Sequence, residues 1–254
     1  MQKNVKGAVC RAVRGRSMRS VMRTIYVLFD LDGTLLDTLD DLWAAVNAAL
    51  RHGGCPQISR AQVRRFLGNG AVQLMRRSVP GGESHPGFQD MLAYFKQYYA
   101  AHCEEKTAPF PGMDEALDRL RAMGCRTAII SNKFDAAVKK LADSCFPGRT
   151  DLAVGENEAA GIRRKPAPDM VLSAMKQLGA DPGDSIYIGD SEVDAETAAA
   201  AGLPCILVSW GFRDRPELER LHPLFMADRP DQLPDLIREF AAASAPEKGG
   251  SAYD

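Results

Sequence analysis

From Pro111 to Ala243 the chain alternates helical stripes with short apolar runs. That alternation constrains the fold more than any other feature, because parallel strands need helical crossovers between them. Met113, Ala116, Leu117, Leu120 and Met123 recur at helical spacing and stop at Gly124. Strands are predicted over 126–130, 152–154, 185–188 and 205–208, with helices over 135–142, 169–178, 195–201 and 232–243. An earlier β-rich run, Tyr26 to Phe29, reads as one more buried strand of the same set. The expectation is a doubly wound, mostly parallel, Rossmann-like α/β sheet.

The stretch between that first strand and Pro111 has a different period. Asp37 or Thr38 can cap a helix carrying Leu39, Leu42, Trp43, Val46 and Leu50, closed by Gly53-Gly54. A segment after Ser59 stops at Gly68-Asn69-Gly70, a short helix spans 72–79, and a longer one carries Met91, Tyr94, Phe95, Tyr98 and His102. Residues 23–37 and 110–243 are therefore expected to form the core, and 38–109 an inserted helical domain. Residues 1–22 hold Lys3, Lys6, Arg11, Arg14, Arg16 and Arg19 with no acid, and are expected to be a disordered or vestigial extension, or the product of an over-called start codon. Residues 244–254 read as a disordered tail.

Charge excludes some roles. Lys plus Arg number 32 against 33 Asp plus Glu, so no overall field draws the chain to nucleic acid or to an anionic membrane. The basic start lacks aromatic interleaving and any apolar stretch long enough for a signal peptide or a membrane span. Six scattered cysteines without a Cys-x-x-Cys pair fit reduced thiols in a cytoplasmic protein. The oligomeric state stays open.

Three predicted strands end in polar residues that a strand does not need: Asp30 and Asp32 before Gly33, Ser131 and Asn132, and Asp190. Each taken singly is an ordinary turn or helix-start residue. In a doubly wound sheet, however, ligands bind outside the carboxyl ends of the strands, near the switch in strand order. These residues are therefore expected to converge.

In order along the chain, Asp30-Leu31-Asp32-Gly33-Thr34-Leu35, Ser131-Asn132, Lys165-Pro166-Ala167-Pro168 and Gly189-Asp190-Ser191-x-x-Asp194 resemble the four motifs of the haloacid dehalogenase-like hydrolases. The resemblance spans residues 24 to about 240 and implies a sheet of that family's type, with 38–109 as a helical cap domain. It implies Asp30 as nucleophile, forming an aspartyl-phosphate, and Asp32 as the acid that protonates the leaving oxygen and then activates water. It further implies Mg²⁺ held by Asp30, Asp190 and the backbone carbonyl of Asp32, with Asp194 orienting a metal water or the lysine. Lys165, Ser131 and the backbone N–H groups of Asn132 and Leu31 would bind the phosphoryl group. Family members that cleave carbon–halogen bonds carry a non-acidic residue at the place of Asp32, so the acid here points to phosphoester work.

Within the cap, Val63 to Arg77 is similar to the corresponding stretch of phosphoglycolate phosphatases. Arg64, Gly68, Asn69 and Gly70 are the substrate candidates there, since two glycines allow close approach and an arginine can pair with a carboxylate. The expected partner is a small phosphomonoester, phosphoglycolate first, with no nucleic acid or membrane. A β-phosphoglucomutase-like transferase shares every core motif and is the alternative. A non-catalytic phosphate-binding module is less well matched, having no use for both acids.

Overall fold

The computed structural model describes residues 23–157 and 161–244. The expectations for 1–22 and 245–254 lie outside the described residues. Six strands form one parallel sheet: β1 (Tyr26–Phe29), β4 (Arg126–Phe134), β5 (Leu152–Glu156), β6 (Ser185–Gly189), β7 (Cys205–Val208) and β8 (Phe225–Ala227), in the order β5-β4-β1-β6-β7-β8. The chain builds outward from β1 to one side and then to the other, so the switch in strand order falls at β1 and its neighbours β4 and β6. Side chains alternate along β1: Val27 and Phe29 join the apolar core on one face, and Leu28 joins the core on the other.

Helices cover both faces. The core of Val27 and Phe29 takes in α5 (Met113–Ala122) and α10 (Leu233–Ala243), and that of Leu28 takes in α7 (Asp169–Leu178) and α8 (Glu192–Ala200). Also present are α6 (Asp135–Cys145), packed on β5, and the short α9 (Arg215–Glu219). The final strand, β8, and α9 have no counterpart in the sequence reading. Two half-buried residues and the buried Ala227 are too short a run to show a period.

Four helices lie between two short strands, β2 (Leu36–Asp37) and β3 (Ala108–Pro109): α1 (Leu39–His52), α2 (Arg60–Phe66), α3 (Gly70–Ser78) and α4 (Phe88–His102). β2 and β3 pair antiparallel, Leu36 opposite Pro109, so the chain leaves and re-enters the sheet side by side. Buried Asp41 fastens this junction by accepting from the backbone N–H groups of Lys106 (3.0 Å) and Thr107 (2.9 Å) and from Thr107 Oγ1 (2.8 Å). The hydrophobic core on the Phe29 side runs on without a break into Leu42, Val46, Leu74, Phe95 and Tyr99 of these helices.

One strand departs from expectation where it matters. β4 does not end at Ile130 but continues to Phe134, and its ladder with β5 is irregular: Ile130 pairs with Val154 and Phe134 with Glu156. Residues 131–133 thus face a single residue, Gly155, and bulge out of the ladder. A Cβ on Gly155 would lie 2.4 Å from Asp135 Cα and 2.7 Å from the Lys133 carbonyl oxygen, so only glycine admits this bulge. Its consequence is that Ser131, Asn132 and Lys133 all line one cavity at the sheet edge.

Candidate active site

That cavity lies at the carboxyl ends of β1 and β4 and beneath α1, α3 and α4. Its walls include Asp30, Asp32, Ser131, Asn132, Lys133 and Lys165 from the sheet side, and Leu42, Leu67, Gly68, Gly70, Leu74, Phe95 and Tyr99 from the helical side. Room for water-sized centres totals about 60 Å³.

β1 carries its pairing with β6 one residue past its end, Asp30 N–H donating to the Ile188 carbonyl at 2.8 Å, and so fixes Asp30 at the rim. Lys165 Nζ lies 2.7 Å from Asp30 Oδ1, 2.8 Å from Asp194 Oδ1 and 3.2 Å from Tyr187 Oη. Three oxygens therefore surround an ammonium that has three hydrogens. Burial alone would push the lysine toward neutrality, but Asp194 and Asp30 together outweigh it and hold its pKa well above the usual value.

Asp190 sits at the end of β6, and its Oδ2 accepts from the Phe212 N–H at 2.6 Å. Two glycines pack against that carboxylate. A Cβ on Gly33, which has φ of 88°, or on Gly211 would fall 2.4 Å from Asp190 Oδ2. Asp194, one turn into α8, accepts from Ser191 Oγ (2.6 Å) and from the Asp190 N–H (3.2 Å). It lies against Gly189, where a Cβ would meet its own at 2.2 Å.

Oxygens of Asp30, Asp190 and Asp194 come within 4.8 Å of one another. Three acids share one lysine, which leaves an excess of buried negative charge. Burial first, then the Asp194 charge, raises Asp30 to about 7, and burial with Asp194 and Asp30 raises Asp190 well above the carboxylate range. A divalent cation relieves this excess, and an all-oxygen donor set suits a hard ion. Asp194 has both oxygens engaged in hydrogen bonds, so it fits the orienting role better than direct ligation.

Asp32 is handled differently from Asp30. Its Oδ1 lies 2.8 Å from Lys133 Nζ, a charge contact without hydrogen-bond alignment, and its Oδ2 is 3.5 Å from Ser131 Oγ. Lys133 is also hydrogen-bonded to Tyr99 Oη from α4 and sits over that ring, 4.4 Å from its centroid. Sequence reasoning missed Lys133, Tyr99, Tyr187, Gly211 and Phe212. Only Lys133 left a signal, as the residue next to Asn132.

Some expected ligands are otherwise employed. The Asn132 side chain clamps the Lys165 backbone, donating to its carbonyl at 3.0 Å and accepting from its N–H at 2.7 Å, and also donates to the Gly68 carbonyl at 3.2 Å. Arg64 does not reach the cavity. Its guanidinium donates to Asp214 Oδ1 (3.0 Å) and the Gly211 carbonyl (3.2 Å), so it ties α2 to the loop beyond β7. Asn69 is likewise no lining residue, because its Oδ1 accepts from Arg77 Nη2 at 2.7 Å. Gly68 and Gly70 do line the cavity.

A doubly wound sheet with strand-end aspartates, a saturated buried lysine and a helical cover defines an α/β protein with an acid-rich site beneath that cover. The family model described as haloacid dehalogenase-like hydrolase matches residues 27–208, and the chain belongs to that family. It is 36% identical over 223 residues to a phosphoglycolate phosphatase of Cereibacter sphaeroides, covering 85% of this chain and 99% of that one. It is 34% identical over 208 residues to the phosphoglycolate phosphatase of Pseudomonas syringae pv. syringae, covering 80% and 75%. A crystal structure from Lactobacillus delbrueckii subsp. bulgaricus is similar with a TM-score of 0.79 at 36% identity, over 85% of this chain and 99% of its own.

Proposed function

We propose that this chain is a Mg²⁺-dependent phosphatase that hydrolyses a small phosphorylated metabolite, phosphoglycolate first, through an aspartyl-phosphate on Asp30. The observation that carries the reading is Asp30 itself: buried at a strand end, one oxygen held by Lys165, and lining the cavity beneath the helical cover. Residues 38–109 act as the cap over that site.

Asp30 attacks phosphorus through the oxygen that Lys165 does not hold, and the bond from phosphorus to the ester oxygen breaks. Asp32 donates a proton to the departing alkoxide, then takes one from the water that hydrolyses the acyl phosphate and frees Asp30. Lys165 and Ser131, with the N–H groups of Leu31 and Asn132, offset charge on the phosphoryl oxygens. Asp30, Asp190 and the Asp32 backbone carbonyl would hold Mg²⁺, which neutralises phosphoryl charge when bound.

Two relatives that carry the name phosphoglycolate phosphatase support the substrate. The five described cysteines are free thiols, in keeping with action in the reducing cytoplasm. Among the described residues no helix is long and apolar enough to cross a membrane.

The test is phosphate release from a panel of phosphomonoesters, with and without Mg²⁺, by the wild type and Asp30→Asn. Loss of a nucleophile that acts through a covalent intermediate is expected to lower kcat by ~10³-fold or more. Substantial Mg²⁺-dependent turnover by Asp30→Asn would contradict the mechanism.

A further inference from the structure

The phosphoryl machinery leaves one buried cation of the cavity unused. Lys133 is 8% exposed, projects from the β4 bulge, and lines the same space as Asp30. It and Lys165 are the cationic side chains among the lining residues, yet they stand in different states. Lys165 meets three oxygens with its three hydrogens, so its donors are spent. Lys133 meets two, Asp32 Oδ1 and Tyr99 Oη, and no other partner among the described residues. At least one N–H of a buried ammonium therefore remains to be satisfied.

Position gives that donor a use. Through Asp32, Lys133 stands on the side of the site where the ester oxygen must leave, and away from the Lys165 corner that holds Asp30. A substrate whose phosphoryl group meets Asp30 would bring whatever follows its ester oxygen toward Lys133 and Tyr99. The rest of the cover there is apolar, made by Leu42, Leu67, Leu74 and Phe95. Such walls give a charged group no other cationic partner, and burying a carboxylate without one is costly.

We propose that Lys133, with Tyr99 positioning it, is the subsite for a substrate carboxylate attached directly to the ester carbon, and so selects phosphorylated short 2-hydroxy acids. The inference rests on the phosphatase reading above and adds its specificity determinant. It replaces Arg64, the arginine that the sequence offered for this role and that the fold commits to Asp214. Tyr99 comes from the helical cover and Lys133 from the sheet, so the subsite is complete only with α4 in place over the cavity.

The test compares kcat/KM for phosphoglycolate with that for ethyl phosphate, which has the same two-carbon ester without the carboxylate, in the wild type, Lys133→Met and Tyr99→Phe. The readout is the ratio of the two values, which a general loss of folding or of Asp32 positioning does not move. Removing a charge-assisted hydrogen bond to the substrate is expected to lower the ratio by ~30-fold or more in Lys133→Met. Tyr99→Phe, which keeps the ring beneath the ammonium, is expected to lower it by only a few-fold, and it keeps the test open should Lys133→Met fail to fold. Lys133→Arg should recover part of the ratio. Equal losses on both substrates, leaving the ratio intact, would overturn the subsite while leaving the phosphatase reading standing. A wild type that hydrolyses neither ester would overturn the phosphatase reading itself.

Discussion

The two walls of the cavity are built by different physics. On the sheet side the groups around Asp30 are tightly held: Lys165 by three oxygens, Asp194 by four donors, and Asp190 by one N–H with two glycines packed against it. The helical side is mostly apolar, and its polar ties to the rest of the protein include Asn132 to Gly68, Arg213 to Leu67, Arg64 to Asp214 and Gly211, Lys140 to Glu104 and Lys133 to Tyr99. Charge concentrated on a rigid wall does chemistry, because preorganised groups need not move as charge develops. An apolar wall held by a handful of polar ties chooses what is admitted. The difference places reactivity on the sheet, and selection on the helices together with Lys133, the sheet residue that Tyr99 of the cover holds.

That division can be broken most strongly through stability. Asp30 has its pKa raised from 3.8 to about 7, mainly by burial. A raised carboxylate means the folded state binds the proton more tightly than the unfolded one, so metal-free protein loses stability as pH climbs from about 4 to above 7. Asp30→Asn removes this penalty. Thermal unfolding without metal should show the variant stabilised at pH 8, by at most about 4 kcal/mol, and nearly unchanged at pH 4. A variant no more stable than wild type at pH 8 would mean that the sheet wall carries no stored charge strain.

On the helical wall the expected effect has the opposite sign and no pH dependence. Leu74 is 2% exposed and lines the cavity, so Leu74→Ala should destabilise by about 3 kcal/mol at either pH. The enlarged cavity should also raise relative activity on longer phosphomonoesters. Unchanged selectivity would remove selection from that wall. The smallest effect belongs to Arg64→Ala. Its partner Asp214 is largely exposed, so stability should change by less than about 1 kcal/mol and the KM for phosphoglycolate by no more than about threefold. A large KM increase would return Arg64 to the substrate.

The same contrast explains what could be read from the residues in order. Asp30, Asp32, Ser131, Lys165 and Asp190 were legible because each follows a strand or a proline-held loop, and the sheet's topology brings strand ends together. Lys133 was not, since the apolar run stops at Ile130, and only pairing with β5 shows that β4 continues through a bulge to Phe134. Gly211 and Phe212 were hidden for another reason: their contact with Asp190 spans 22 residues and leaves no local pattern. Arg64 and Asn69 misled because an arginine or asparagine near a glycine loop has the right chemistry for a ligand, while its actual partner, Asp214 or Arg77, is set by packing.

The account turns on Asp30 carrying the phosphoryl group, and a trapping measurement reads that directly. Asp32→Asn, which lacks the group proposed to activate water, should accumulate the covalent species when mixed with Mg²⁺ and p-nitrophenyl phosphate, whose leaving group departs without protonation, and quenched in acid. Peptide mass spectrometry is expected to find one added phosphoryl group on the peptide that contains Asp30, absent from the Asp30→Asn, Asp32→Asn double variant. A phosphoryl group on another residue, or rapid phosphate release by enzyme whose Asp30 peptide stays unmodified throughout turnover, would contradict it.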